Sequence, residues 1–164
     1  MLALLITVPM LTAVIAALCK GRFCRLLLLT GGLLHLGLTL YCSSIRIDGR
    51  WIGLTSYTES LLLILTSALY FAVSCYCCVW LKAEECSRKS LWVLGICLPL
   101  FLATMTLVIL SRNFGVMWVA IEATTLFSAP LILFHRSGRA LEAMWKYLLI
   151  CSVGIALALL GKGF

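Results

Sequence analysis

Residues 91–110 read Leu-Trp-Val-Leu-Gly-Ile-Cys-Leu-Pro-Leu-Phe-Leu-Ala-Thr-Met-Thr-Leu-Val-Ile-Leu, a run without a single charge. As an α-helix this run extends about 30 Å, the thickness of the hydrocarbon layer of a bilayer. Its apolar character is continuous, whereas the strands of a membrane barrel alternate between apolar and polar residues. Similar runs recur, and the pattern predicts helices near 2–19, 24–42, 57–80, 91–110, 114–134 and 145–161. Charges fall between them: Lys20, Arg22 and Arg25; Arg46, Asp48 and Arg50; Lys82, Glu84, Glu85, Arg88 and Lys89; Arg112; Arg136, Arg139 and Glu142. The whole chain is 63% hydrophobic and 12% charged, with a mean hydropathy of +1.14. A soluble domain carries about twice that share of charge. The reading is an all-α integral membrane protein of about six transmembrane helices, one membrane domain over 1–164, with no visible internal repeat.

The formal charge of +7 does not indicate nucleic acid, because the basic residues form short clusters between apolar runs rather than one stripe. Counted in alternate loops, Lys and Arg divide unequally. One side holds Lys20, Arg22, Arg25, Lys82, Arg88, Lys89, Arg136, Arg139 and Lys146; the other holds Arg46, Arg50, Arg112 and Lys162. The richer side is expected to be cytoplasmic, with both termini external. Trp51, Trp80, Trp92 and Trp145 fall near helix ends, where indole rings favour the interface, and Trp118 does not. The first run has no basic residue before it, so it is expected to stay in the membrane rather than act as a cleaved signal.

Nine cysteines are present, the densest group being Cys75, Cys77 and Cys78 inside an apolar run, where cysteine behaves as a small hydrophobe. No metal, cofactor or catalytic centre is expected. His35 lies mid-helix among leucines and glycines, as a packed polar residue or as a member of a proton relay.

Glu122 stands out most. It lies eight residues into the run 114–134, about 12 Å along the helix. An ionised carboxylate at that depth costs about 2.5–3.5 kcal/mol on insertion scales, and spanning the membrane does not call for one. Trp118, Glu122, Thr125 and Ala129 follow at helical spacing, so one stripe should face other helices or internal water. Pro130 removes a backbone bond to Leu126 just beyond. A neutral, hydrogen-bonded Glu122 is the structural alternative to a proton carrier. Lys146, at the start of the last apolar run, reads alone as a lysine snorkelling to the interface.

The stretches Gly115-Val-Met-Trp-Val-Ala-Ile-Glu-Ala-Thr-Thr-Leu-Phe-Ser-Ala and Ala140-Leu-Glu-Ala-Met-Trp-Lys-Tyr-Leu-Leu-Ile-Cys-Ser-Val-Gly closely resemble hydrogenase-4 component F. That family comprises antiporter-like membrane subunits related to respiratory complex I and to Mrp antiporters. The likeness is dense from about Leu98 to Leu160 and diffuse before, although Ile47-Asp48-Gly49 also fits a family signature. It implies the N-terminal part of a fourteen-helix antiporter-like subunit. It also implies a proton path in which a fifth-helix glutamate pairs with a seventh-helix lysine. Glu122 matches the glutamate, and Lys146 matches a lysine opening the sixth helix. Pro130 departs from the expected motif, and the seventh-helix lysine lies beyond the helices matched here.

The implied function is therefore a membrane subunit of a hydrogenase-type or complex-I-like proton-translocating oxidoreductase, in a prokaryotic inner membrane. The proton-relay candidates are Glu122, Lys146 and His35. Other membrane subunits are the expected partners, among them a chain supplying the remaining family helices, together with the lipid bilayer and no nucleic acid. The alternative is a structural subunit without its own proton path. A small independent transporter is a weaker reading, because one central charge offers few substrate ligands.

Overall fold

The computed structural model describes residues 2–18, 23–44, 53–54, 56–83, 88–133 and 138–163. Among them are six helices: α1 (Leu2–Leu18), α2 (Phe23–Ser43), α3 (Tyr57–Ala83), α4 (Arg88–Leu110), α5 (Phe114–Ile132) and α6 (Gly138–Gly163). Lys20, Arg22, Arg46, Asp48, Arg50, Glu84, Glu85 and Arg136 lie outside the described residues, as do Trp51 and the Ile47-Asp48-Gly49 signature. Five helices, α2 to α6, are long and apolar enough to cross a bilayer. α1, with 17 residues, sits at the lower end of the spanning range. This is an all-α, multi-pass integral membrane fold.

Each helix of the first bundle buries one stripe. In α2 the buried positions are Leu28, Gly31, Gly32, His35, Thr39 and Cys42; in α3 they are Leu63, Ser67, Tyr70, Ser74 and Cys77. The three- and four-residue steps are those of a single helix face. α4 repeats the spacing with Pro99, Leu102, Thr106 and Leu110. The remaining faces of α1, α2 and α3 expose leucines and valines, as lipid contact requires, whereas α4 is covered along most of its described length.

α1 packs on α2 and α4, and α3 packs on α2 and α4, so α1–α4 form one bundle. α5 lies against α4, and among the described helices α6 lies against α5 alone. Small residues permit the closest approaches. A Cβ on Gly31 would meet the Thr12 methyl at 2.9 Å, and one on Gly32 would meet the Tyr70 ring at 3.1 Å, the role small residues take between membrane helices.

Two apolar clusters fill the bundle. One joins Leu2, Leu5, Cys42, Leu54, Leu63 and Leu110 at one end; the other joins Leu28, Tyr70, Cys77, Leu98 and Leu102 toward the opposite end. The indole N–H of Trp92 donates to the Ala17 carbonyl at 3.0 Å, satisfying a group that the end of α1 would otherwise leave open. The amide of Gly53 donates to the Leu110 carbonyl at 3.0 Å, so the segment before α3 is tied to the α4–α5 connection.

The observed helices differ from the sequence-derived spans chiefly at α6, which begins at Gly138 rather than near Trp145. Glu142 and Lys146 form an i,i+4 ion pair at 2.6 Å, the kind of contact that carries a helix beyond its apolar segment. α5 ends at Ile132, two residues past Pro130. There the Leu133 amide turns back to the Pro130 carbonyl at 3.2 Å.

Candidate functional site

Asn113 caps α5, its side chain accepting from the Gly115 amide at 2.9 Å. This cap fixes where the helix begins, and so fixes Glu122 about 12 Å along it. The carboxylate is half-buried and faces α6, where the Ser152 hydroxyl donates to its Oε1. Around it the hydroxyls turn onto their own backbone: Thr124 donates to the Ile121 carbonyl at 2.6 Å and Thr125 to the Glu122 carbonyl at 2.7 Å. Six residues further on, Ser128 and the Tyr147 hydroxyl meet at 2.8 Å. The Ser128 hydroxyl also lies 3.0 Å from the Thr125 carbonyl, and either hydroxyl can donate in its contact with Tyr147. The α5–α6 seam thus carries two polar crossings, about 9 Å apart along the helix.

One turn before Glu122, the buried indole N–H of Trp118 has no hydrogen-bond partner among the described residues. Buried donors are almost always satisfied by protein or by water. The stripe of Trp118, Glu122 and Thr125 is therefore polar over two turns inside a helix that is otherwise apolar.

Lys146 stands elsewhere. Its ammonium binds Glu142 at 2.6 Å, and both side chains are about two-thirds exposed, 69% and 66%. Along α6 it is six residues, or about 9 Å, from Ser152. The structure brings Glu122 together with Ser152, not with Lys146.

His35 occupies the centre of the first bundle and is 1% exposed. Its Nδ1 is 2.9 Å from the Ser67 hydroxyl on α3, and its Nε2 is 3.3 Å from the Thr106 hydroxyl on α4. His35 thus links α2, α3 and α4.

The sequence reading did not single out Ser152, Ser128, Tyr147, Ser67 or Thr106. Ser67 and Thr106 carried a signal, since each falls in the buried stripe of its helix at the same spacing as His35 in α2. Ser152 and Tyr147 carried none, because α6 is apolar nearly all round.

The class defined by this arrangement is a multi-pass α-helical membrane protein with ionisable and hydroxyl groups placed between its helices. Comparison with known proteins narrows it. Over 57 residues, 35% of the chain, it is 47% identical to the hydrogenase-4 component F homolog of Methylacidiphilum infernorum (isolate V4). The aligned stretch amounts to 12% of that relative. The fold superposes with a TM-score of 0.83 on a chain of the membrane-bound sulfane sulfur reductase (MBS), an archaeal respiratory membrane complex. That match covers 98% of this chain and 36% of the other, at 19% identity. No family model matches the chain. The resemblance to hydrogenase-4 component F read from the sequence is thus present by direct comparison over 57 residues, and the fold matches that of a chain in an archaeal respiratory membrane complex.

Proposed function

We propose that this chain is a membrane subunit of a hydrogenase-type or complex-I-like proton-translocating oxidoreductase, and that Glu122 carries part of its proton path. The observation that supports this most is the placement of Glu122: a carboxylate at mid-depth on an apolar helix, facing a neutral hydroxyl across a helix seam. A neutral partner lets the acid both hold and release a proton, whereas a tight ion pair would fix it in the charged form. The buried Trp118 N–H one turn away supports water beside the carboxylate, and that water would carry the proton. Redox chemistry, electron donor and acceptor belong to other subunits.

Lys146 takes a secondary part in this reading. Its pairing with Glu142 keeps it near the surface, where it can affect proton entry but not neutralise Glu122 directly. A cation close to Glu122 is then supplied by a neighbouring membrane subunit, among them one carrying helices equivalent to the rest of the longer relatives. The same pairing also favours a second reading, in which Glu122 stays protonated and only joins α5 to α6.

The experiment that separates them is proton translocation per electron by the intact complex in sealed vesicles. Glu122→Gln keeps shape and hydrogen bonding while removing titration. A drop of about tenfold or more with assembly intact is expected. Unchanged translocation would overturn the proton-path reading in favour of the structural one.

A further inference from the structure

The α1–α4 bundle contains a hydrogen-bond arrangement that does not depend on Glu122. The Ser67 hydroxyl lies 2.9 Å from Nδ1 of His35 and 2.8 Å from the Leu63 carbonyl. The Thr106 hydroxyl lies 3.3 Å from Nε2 and 2.8 Å from the Leu102 carbonyl. Each hydroxyl has one hydrogen, and a neutral imidazole has one N–H. Three hydrogens therefore serve four contacts, and an imidazolium supplies the fourth.

The arrangement tolerates every state of the ring. With the hydrogen on Nδ1, the ring donates to Ser67, and Thr106 rotates to donate to Nε2. With the hydrogen on Nε2, the roles reverse. With both, the two hydroxyls return to their own helix carbonyls and accept from the ring. Only hydroxyl hydrogens move. Both ring nitrogens are therefore satisfied in either neutral tautomer, and the same two hydroxyls can also accept from a doubly protonated ring.

We propose that His35 is a reversible proton-binding site in the core of the α1–α4 bundle, its three states accommodated by rotation of the Ser67 and Thr106 hydroxyls. The proton comes from hydronium in the solvent: an N–H bond forms at the free ring lone pair, the donor's O–H bond breaks, and a water molecule is left. The site lies about 12 Å from the end of α2. That end and the start of α5 share one side of the membrane, so His35 and Glu122 are at similar depth.

Few other ionisable groups stand close by. α1 has none between Leu2 and Leu18. α2 adds Cys42 two turns away on the same face. α3 brings Tyr70 against Gly32, one turn from His35. Cys97 of α4 is nine residues from Thr106.

The test uses the full chain in lipid nanodiscs, with His135→Gln leaving His35 as the one histidine. Imidazole nitrogen-15 resonances are followed from about pH 8.5 to about pH 3, a window wider than the ordinary histidine range, with helix content tracked by circular dichroism. The expected result is convergence of both nitrogens on the protonated shift while the helices persist. Replacing both hydroxyls, Ser67→Ala with Thr106→Val, is expected to move the midpoint by about one pH unit or more. Adding Glu122→Gln leaves the titration unchanged, so failure here is distinct from failure of the Glu122 reading. A single neutral tautomer over the whole range, or protonation only as the helices are lost, would overturn the proposal.

Discussion

Glu122 and His35 are both polar groups inside apolar helices, yet their neighbours differ in kind. Among the described residues, His35 has side-chain partners on two other helices and is buried, whereas Glu122 has one side-chain partner on one helix and is half-buried. The consequence is a different sensitivity to substitution. Ser152→Ala removes the hydroxyl that donates to Glu122 while keeping the carboxyl group itself. Translocation by the complex should fall by a few-fold, less than for Glu122→Gln. A larger loss for Ser152→Ala than for Glu122→Gln would contradict the ordering. Lys146→Ala breaks an exposed i,i+4 pair, a contact worth about 0.3–0.5 kcal/mol. The thermal midpoint of the purified complex should hardly move, and a large drop would assign Lys146 a buried contact that this arrangement lacks.

At the scale of the elements, the first four helices and the last two are built differently. α1–α4 bury continuous stripes around small residues, so the bundle is sensitive to volume. Gly32→Leu would drive a side chain into the Tyr70 ring and is expected to destabilise the α2–α3 contact by about 1–3 kcal/mol, the usual cost of overpacking. Leu102→Ala, at 1% exposure in the same cluster, should cost about 2–5 kcal/mol through the cavity left behind. Unfolding in mixed micelles with a graded denaturing detergent would measure both. The α5–α6 pair should respond far less to volume changes on the outer face of α6, where Leu149, Val153, Leu157 and Leu160 are all exposed. Equal losses from Leu102→Ala and Leu157→Ala would mean that α6 is packed against more than α5.

For the whole molecule, the succession of helices places α6 at one edge, with a polar seam just beneath it. We expect that edge to be covered by another membrane subunit. Single cysteines replacing Leu149 or Leu157 should crosslink to another subunit in native membranes, while one replacing Leu11 on α1 should not. Recovery of the chain as a fully active monomer would count against this. The Lys and Arg asymmetry gives a second expectation, that both termini lie outside. A reporter fused at Phe164 that proves cytoplasmic would reverse the orientation without changing the fold.

The amino-acid sequence by itself determined that this is a multi-pass helical membrane protein, because twenty-residue apolar runs such as 91–110 have no other stable state in lipid. The same reasoning reached Glu122, since a carboxylate at mid-depth is expensive wherever the helix sits. It also reached the likeness to hydrogenase-4 component F, which rests on a contiguous motif. Partners across helices were decided only by the tertiary structure. Helical periodicity states which face a residue occupies, not which helix lies opposite. A serine such as Ser152 costs little in lipid, because its hydroxyl can bond its own helix, and so leaves no trace in composition. Whether Lys146 would meet Glu122 or Glu142 turned on where α6 begins and on how far it is displaced along α5. Those two quantities follow from loop geometry and interhelical packing, and no local pattern encodes them.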